Sequence, residues 1–176
     1  MTDEAGFVIF ILNKSYLFTW YLTGGVFLKL STKGRYGVTA LYELALHYGE
    51  GAVSLKSIAM KQGISEHYLE QLICTLRNAG LVKSIRGAQG GYMLARDPHD
   101  VTIGEIITIM EGPIALVDCL LTSAEADDQI CAKACKCVTR GVWEKVCDSI
   151  SNVLNGITLA DLCVDHQAQE TKQETL

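Results

Sequence analysis

The chain has 176 residues, 49% of them apolar and 20% charged, with two prolines. That length suits one domain, or a small domain with an appended element, and the apolar content excludes a disordered chain. The formal net charge of −5 argues, taken alone, against a nucleic-acid partner.

The distribution of that charge argues the other way. From Leu28 to Asp97 there are nine Lys/Arg against five Asp/Glu, whereas from Pro98 to Leu176 there are five against thirteen. A basic block joined to an acidic one suggests a part that meets phosphates and a part that does not. The seven cysteines do not read as a secreted disulfide framework. Their number is odd, and Cys131, Cys135 and Cys137 crowd together, which favours metal or redox chemistry.

Residues Phe7 to Phe27 are strongly apolar and aromatic. Asn13-Lys14-Ser15 interrupts them, and a lysine near a bilayer centre costs about 2.5–3.5 kcal/mol. Asp3 and Glu4 stand where a secretory signal needs a basic region. Three readings compete: a membrane anchor, a soluble extension and an over-extended gene start. We favour the last, because Gly24-Gly25 can be encoded by GGAGG, a ribosome-binding core, and Leu28 by the start codon TTG. N-terminal sequencing of the native protein is expected to begin at the position of Leu28; a native start at Met1 would overturn this reading. No membrane association is then expected, and the protein is expected in the cytoplasm.

Lys33 to Tyr48 is predicted to be a helix burying Leu41, Leu44, Ala45 and Tyr48, closed by Gly49 and Gly51. Ser54 can cap a short second helix that buries Leu55, Ile58 and Ala59 and ends at Gln62-Gly63. Ile64 fills a tight turn, and Ser65 caps a third helix that buries Leu69, Leu72, Ile73 and Leu76. A short helix, a Gly-containing turn and a second helix form a helix-turn-helix. The exposed face carries Glu66, His67, Glu70, Gln71 and Thr75, side chains able to meet base edges in a major groove. For one helix alone, a plain solvated face would be the better reading.

The segment after that helix shifts the balance. Gly80 stops the helix, Leu81–Ile85 alternates like a strand, Arg86 to Gly91 is a glycine-rich turn, and Tyr92–Ala95 returns. A hairpin tipped by Arg86 directly after such a helix is a wing, and Arg86 can enter a minor groove. The predicted architecture is therefore mainly α: a winged helix-turn-helix over residues 28–97, then a cysteine-bearing loop and dimerisation helices over 98–165. Val101 to Glu111 is predicted helical, with Ile103, Ile106, Ile107 and Met110 buried. Pro113 to Lys136 is predicted to be a loop. The helix predicted from Val138 to Asn155 carries Val142, Trp143, Val146, Ile150, Val153 and Leu154, a stripe too wide for an isolated helix. A second copy of the chain is its simplest partner. Residues 166–176 are polar and predicted to be disordered.

Several segments occur together in order: Leu28-Lys-Leu-Ser-Thr-Lys-Gly-Arg-Tyr36, Gly63-Ile-Ser65, Tyr68-Leu-Glu-Gln-Leu72, Arg86-Gly-Ala-Gln-Gly-Gly-Tyr92 and Cys137-Val-Thr-Arg-Gly-Val-Trp143. Over Leu28 to Leu162 the chain resembles the IscR/NsrR/CymR family of bacterial winged-helix transcription regulators, and most resembles the IscR branch. The resemblance implies a homodimer on double-stranded, pseudo-palindromic promoter DNA, acting as a repressor in one of its states. It also implies an iron–sulfur cluster before the long helix, with Cys119, Cys131 and Cys137 at the ligand positions; thiolates suit such clusters because soft sulfur stabilises the iron–sulfide core.

This sequence departs from the family at the fourth ligand. Arg140 stands where the IscR branch has a histidine, and Arg35 where an NsrR branch has a carboxylate. Cys135 is the candidate substitute, with Asp118 or Glu125 behind it. The interval between Cys119 and Cys131 is also longer than in the IscR branch. A [2Fe–2S] centre is the first expectation, and [4Fe–4S] stays open. Glu70 and Arg86 match family positions that touch bases, and His67 replaces a serine. Lys33, Arg35, Tyr36 and Ser65 are candidates for phosphates, and Gln71 for the groove. Cys74, Cys147 and Cys163 are expected to be small buried hydrophobes.

Two alternatives remain. One is a cluster-free regulator of the CymR type responding to a partner protein or to cysteine metabolism. The other is a zinc module, for which only Cys131 and Cys135 have paired spacing. No redox Cys-x-x-Cys, Ser-His-Asp set or phosphate-cradling loop is present, so an enzyme is not expected.

Overall fold

The computed structural model describes residues 30–87, 89–121 and 136–174. The first helix, α1 (Thr32–Leu46), starts where the Ser31 side chain accepts the N–H groups of Lys33 and Gly34. Its inner face buries Ala40, Leu41, Leu44 and Ala45. Tyr48 falls beyond the end of the helix and is 46% exposed, so the predicted apolar face stops one turn early.

Helix α2 (Leu55–Gln62) is capped by Ser54 Oγ, which accepts the Ser57 N–H at 3.1 Å. It ends because Gly63 takes up a left-handed φ of 62°. The Gly63 N–H then reaches Met60 O and the Ile64 N–H reaches Ala59 O, the paired bonds of a Schellman turn. Ile64 tucks into the core at the corner. Helix α3 (Glu66–Asn78) begins with Ser65 accepting the Tyr68 N–H and buries Leu69, Leu72, Ile73 and Leu76. Full burial of side chains of this size stabilises by about 1.5–3 kcal/mol each, so this one face holds α3 against α1.

Strands β1 (Val82–Ile85) and β2 (Gly91–Leu94) pair antiparallel, in register from Val82 opposite Leu94 to Ile85 opposite Gly91. Val53, in the linker before α2, adds a bridge to Tyr92 through two 2.8 Å backbone bonds. That contact needs glycine at 91: a Cβ there would lie 2.3 Å from the Val53 carbonyl oxygen. Gly91→Ala is expected to lower stability by about 1–3 kcal/mol, as overpacking against backbone does. The midpoint of denaturant unfolding would measure it, and an unchanged midpoint would contradict the close approach.

Pro98–Asp100 forms a single 3-10 turn before α4 (Ile103–Glu111), which is capped by Thr102. Helix α4 packs along α1 at a small residue, since a Cβ on Gly37 would come within 2.7 Å of the Met110 side chain. A second 3-10 turn, Asp118–Leu120, comes next. Helices α5 (Arg140–Asn155) and α6 (Leu159–Glu174) complete the described chain. Their junction is stitched to the start of α4 by Ile103 N–H to Ile157 O and by Leu159 N–H to Val101 O. Asp161 and Thr158 cap α6 reciprocally, and the Thr158 N–H and hydroxyl hold the Asp161 carboxyl below its usual range.

The polar segment from His166, predicted to be disordered, instead continues α6 through Glu174. Its helix is already nucleated by the buried Leu159 and Ala160, and the His166 ring meets Tyr42 of α1 edge-on at 5.9 Å. From Ser31 onward the described residues group as one compact unit. Residues 1–29, with the apolar stretch and its competing readings, lie outside the described residues.

Candidate nucleic-acid interface and thiolate site

The buried face of α3 dictates what its other face presents. Glu66, His67, Glu70 and Gln71 are all exposed. The Gln71 amide lies 3.3 Å from His67 Nε2, so the two form one polar unit. Thr75 is half-buried and donates to the Gln71 carbonyl, which turns its hydroxyl away from any ligand. Cys74 is exposed, contrary to the expectation of burial; it sits one position past the buried Ile73, so the helical period rotates it outward.

The first turn of α1 lies beside α3. Lys33 and Arg35 are exposed, and the Arg35 guanidinium stands 5.0 Å over the Tyr36 ring. Tyr36 in turn meets Tyr68 of α3 in an edge-on pair at 6.1 Å. Tyr36, predicted as a phosphate contact, is therefore half-buried and also serves as the packing link between the two helices. Ser65 is exposed at the start of α3 with its oxygen committed to the cap.

Arg86 comes directly after β1 and is exposed. Gly87 turns the chain at φ 117°, and Gly90 N–H closes on the Gly87 carbonyl at 2.9 Å. The interface thus carries polar side chains on a helix, cations at a neighbouring helix start and an arginine on a hairpin. A helix of this kind fits a major groove about 12 Å wide while flanking cations meet the backbone.

Sequence reasoning missed Glu43. It is 2% exposed and accepts from Lys61 Nζ at 2.9 Å and Gln62 Nε2 at 2.5 Å. A buried carboxylate needs such partners, and here they tie the end of α2 to α1. No local signal marked it, since Glu43 lies off the stripe of Leu41, Leu44 and Ala45 and its donors come from α2.

The candidate ligands are only partly in view. Cys131 and Cys135 lie outside the described residues, as does Glu125. Cys137 precedes α5, with its sulfur 3.1 Å from Thr139 Oγ1. The Thr139 hydroxyl and the Arg140 backbone N–H hold its thiol below the usual value. Cys119 is half-buried in the 3-10 turn, which packs on α5. Cys147, buried in α5, accepts the Leu116 N–H at 3.4 Å and so fixes the approach to that turn. Its expected burial is observed. Cys163 is half-buried, and burial raises its thiol. Arg140 donates to Glu144 along the helix, and Asp118 is exposed. Among the described residues no three His, Cys, Asp or Glu converge as a metal set.

Outside the packed face, α5 leaves Val142, Trp143, Val146 and Val153 exposed, while Leu154 packs against the core. No described helix is long and apolar enough to cross a membrane.

Helix, turn, helix and wing in this arrangement define a winged helix-turn-helix protein. The Rrf2 family, described as iron-dependent transcriptional regulators, matches residues 30–165, and the chain belongs to it. It is 51% identical to the transcriptional regulator CymR of Bacillus subtilis, over 77% of this chain and 89% of that protein. It is 41% identical to the regulator IscR of Photobacterium profundum, over 81% of this chain and 80% of that one. Among solved structures, T. potens IscR matches at TM-score 0.63 and 55% identity, covering 81% of this chain and 91% of that one. CymR of B. subtilis, described as the global cysteine regulator, matches at TM-score 0.64 and 49% identity, covering 78% and 98%.

Proposed function

We propose that this regulator binds promoter DNA as a homodimer and senses iron–sulfur status through thiolates around the start of α5. The observation that carries the DNA reading is the shared exposure of the α3 polar face, the α1 cations and Arg86. His67, Glu70 and Gln71 would face base edges, while Lys33, Arg35 and Ser65 would position the backbone. Arg86→Ala is expected to weaken specific binding by about 1–3 kcal/mol if it reads bases. Affinity measured on specific and scrambled duplexes would test this, and undiminished specific affinity would make Arg86 a bystander.

The donor chemistry fits a cluster. A thiolate is the ligating form, and Cys137 is biased toward it by the hydroxyl and N–H beside it. Cys119 and Cys137 would be two ligands and Cys131 the third, with Cys135 as candidate fourth. A bound iron–sulfur cluster, [2Fe–2S] before [4Fe–4S], would supply sensitivity to iron supply, oxidation or nitric oxide. Regulation then requires the two states of the cysteine-bearing segment to differ in DNA affinity. Absorbance of the anaerobically purified protein, with iron and acid-labile sulfide assays, tests this reading.

A second reading is favoured by the 51% identity to B. subtilis CymR: a cluster-free regulator answering to a partner protein or to cysteine metabolism. A colourless, iron-free protein that still binds its promoter would select it. The cytoplasm is the compartment that suits either reading.

A further inference from the structure

Glu111 is the last residue of α4, yet its carboxylate serves the first turn of α1. One oxygen, Oε1, accepts from the Ser31 N–H at 3.2 Å, the Ser31 hydroxyl at 2.9 Å and the Gly34 N–H at 3.1 Å. The Ser31 hydroxyl oxygen in turn accepts from Lys33 and Gly34. The opening N–H groups of a helix have no partner inside it, and they favour negative charge. Room for the contact is built in: a Cβ on Gly34 would sit 2.0 Å from Oε1. Exposed acids ordinarily stay in water. This one is held by three bonds to a turn far away in sequence.

That turn carries the exposed Lys33 and Arg35. We propose that Glu111 is a positioning residue for DNA binding, fixing the N-terminal turn of α1 so that Lys33 and Arg35 meet phosphates. The inference rests on the reading of α1 as a phosphate-facing helix. Its sign separates it from a simple charge effect. Removing an acid beside a DNA-binding surface should by itself tighten binding. Loss of a positioning contact should weaken it.

The test is binding of a generic mixed-sequence duplex across a salt series, since phosphate contacts do not depend on sequence. Glu111→Ala is expected to weaken binding and to lower the magnitude of the log–log salt slope by about 1–2, the contribution of one or two cations. Gly34→Ala should reproduce both effects by displacing the carboxylate, while gaining helix propensity. It therefore decides the matter if Glu111→Ala folds poorly. Glu111→Gln, which keeps an acceptor oxygen, should retain part of the wild-type slope. Binding by Glu111→Ala and Gly34→Ala as tight as wild type, with the slope unchanged, overturns the proposal. Lys33→Ala and Arg35→Ala serve as the separate control. If they lower the slope and the other variants do not, only the positioning role fails. If they leave it unchanged, the phosphate-facing reading of α1 fails and the proposal falls with it.

Discussion

Cys137→Ala is expected to yield a protein with bound iron, sulfide and visible absorbance at background, and with its helical content intact. The fold should tolerate the change because, among the described residues, the Cys137 side chain is held by the Thr139 hydroxyl and the Arg140 N–H at the start of α5. Cys137 is not part of the core formed by the described residues. Cys147→Ala provides the contrast, since that sulfur is buried and receives the Leu116 N–H. It should lower thermal stability while leaving any bound iron in place at folding temperatures. Full iron retention in Cys137→Ala would refute the ligand assignment. Iron at background in the wild type would favour the cluster-free reading instead.

Val146→Asp is expected to convert a dimer to a monomer, read by sedimentation or light scattering. Val146 is 38% exposed in the single chain and lies on the same face as Val142, Trp143 and Val153. A charge there costs the isolated fold little, but buried without a partner in an apolar interface it is strongly unfavourable. Affinity for a two-half-site operator should fall by about 10²–10⁴, the gain that a second linked contact ordinarily gives. Binding to a single half-site should change far less. A variant that remains dimeric would place the dimer contact elsewhere than on α5.

The recognition helix was legible because its two faces differ so sharply. Leu69, Leu72, Ile73 and Leu76 recur at helical spacing, and serine caps with a Gly63 stop mark both sides of the turn. The wing was legible for a similar reason, as glycines punctuate a short alternating run. Contacts distant in sequence left no such local mark. Val53 joins the wing through a single bridge, too short to show a strand period. Glu43 and Glu111 read as ordinary surface acids until α2 and α1 supplied their donors.

The same distinction applies to the thiols and the tail. Crowding in sequence could nominate Cys131, Cys135 and Cys137, because ligand sets are often local, whereas Cys119 was named only by the family resemblance. The burial of Cys147 was expected and the outward turn of Cys74 was not. The His166 ring of α6 meets Tyr42 of α1, a contact across the fold that no local pattern announces. The helices, the turn, the wing and the chemistry offered on each face were written in the order of residues, since local periodicity and capping encode them. Which acids act as clamps, and which residue of the α5 stripe, Leu154, packs inward, was settled by packing. Those outcomes depend on neighbours brought together only when the chain closes on its core.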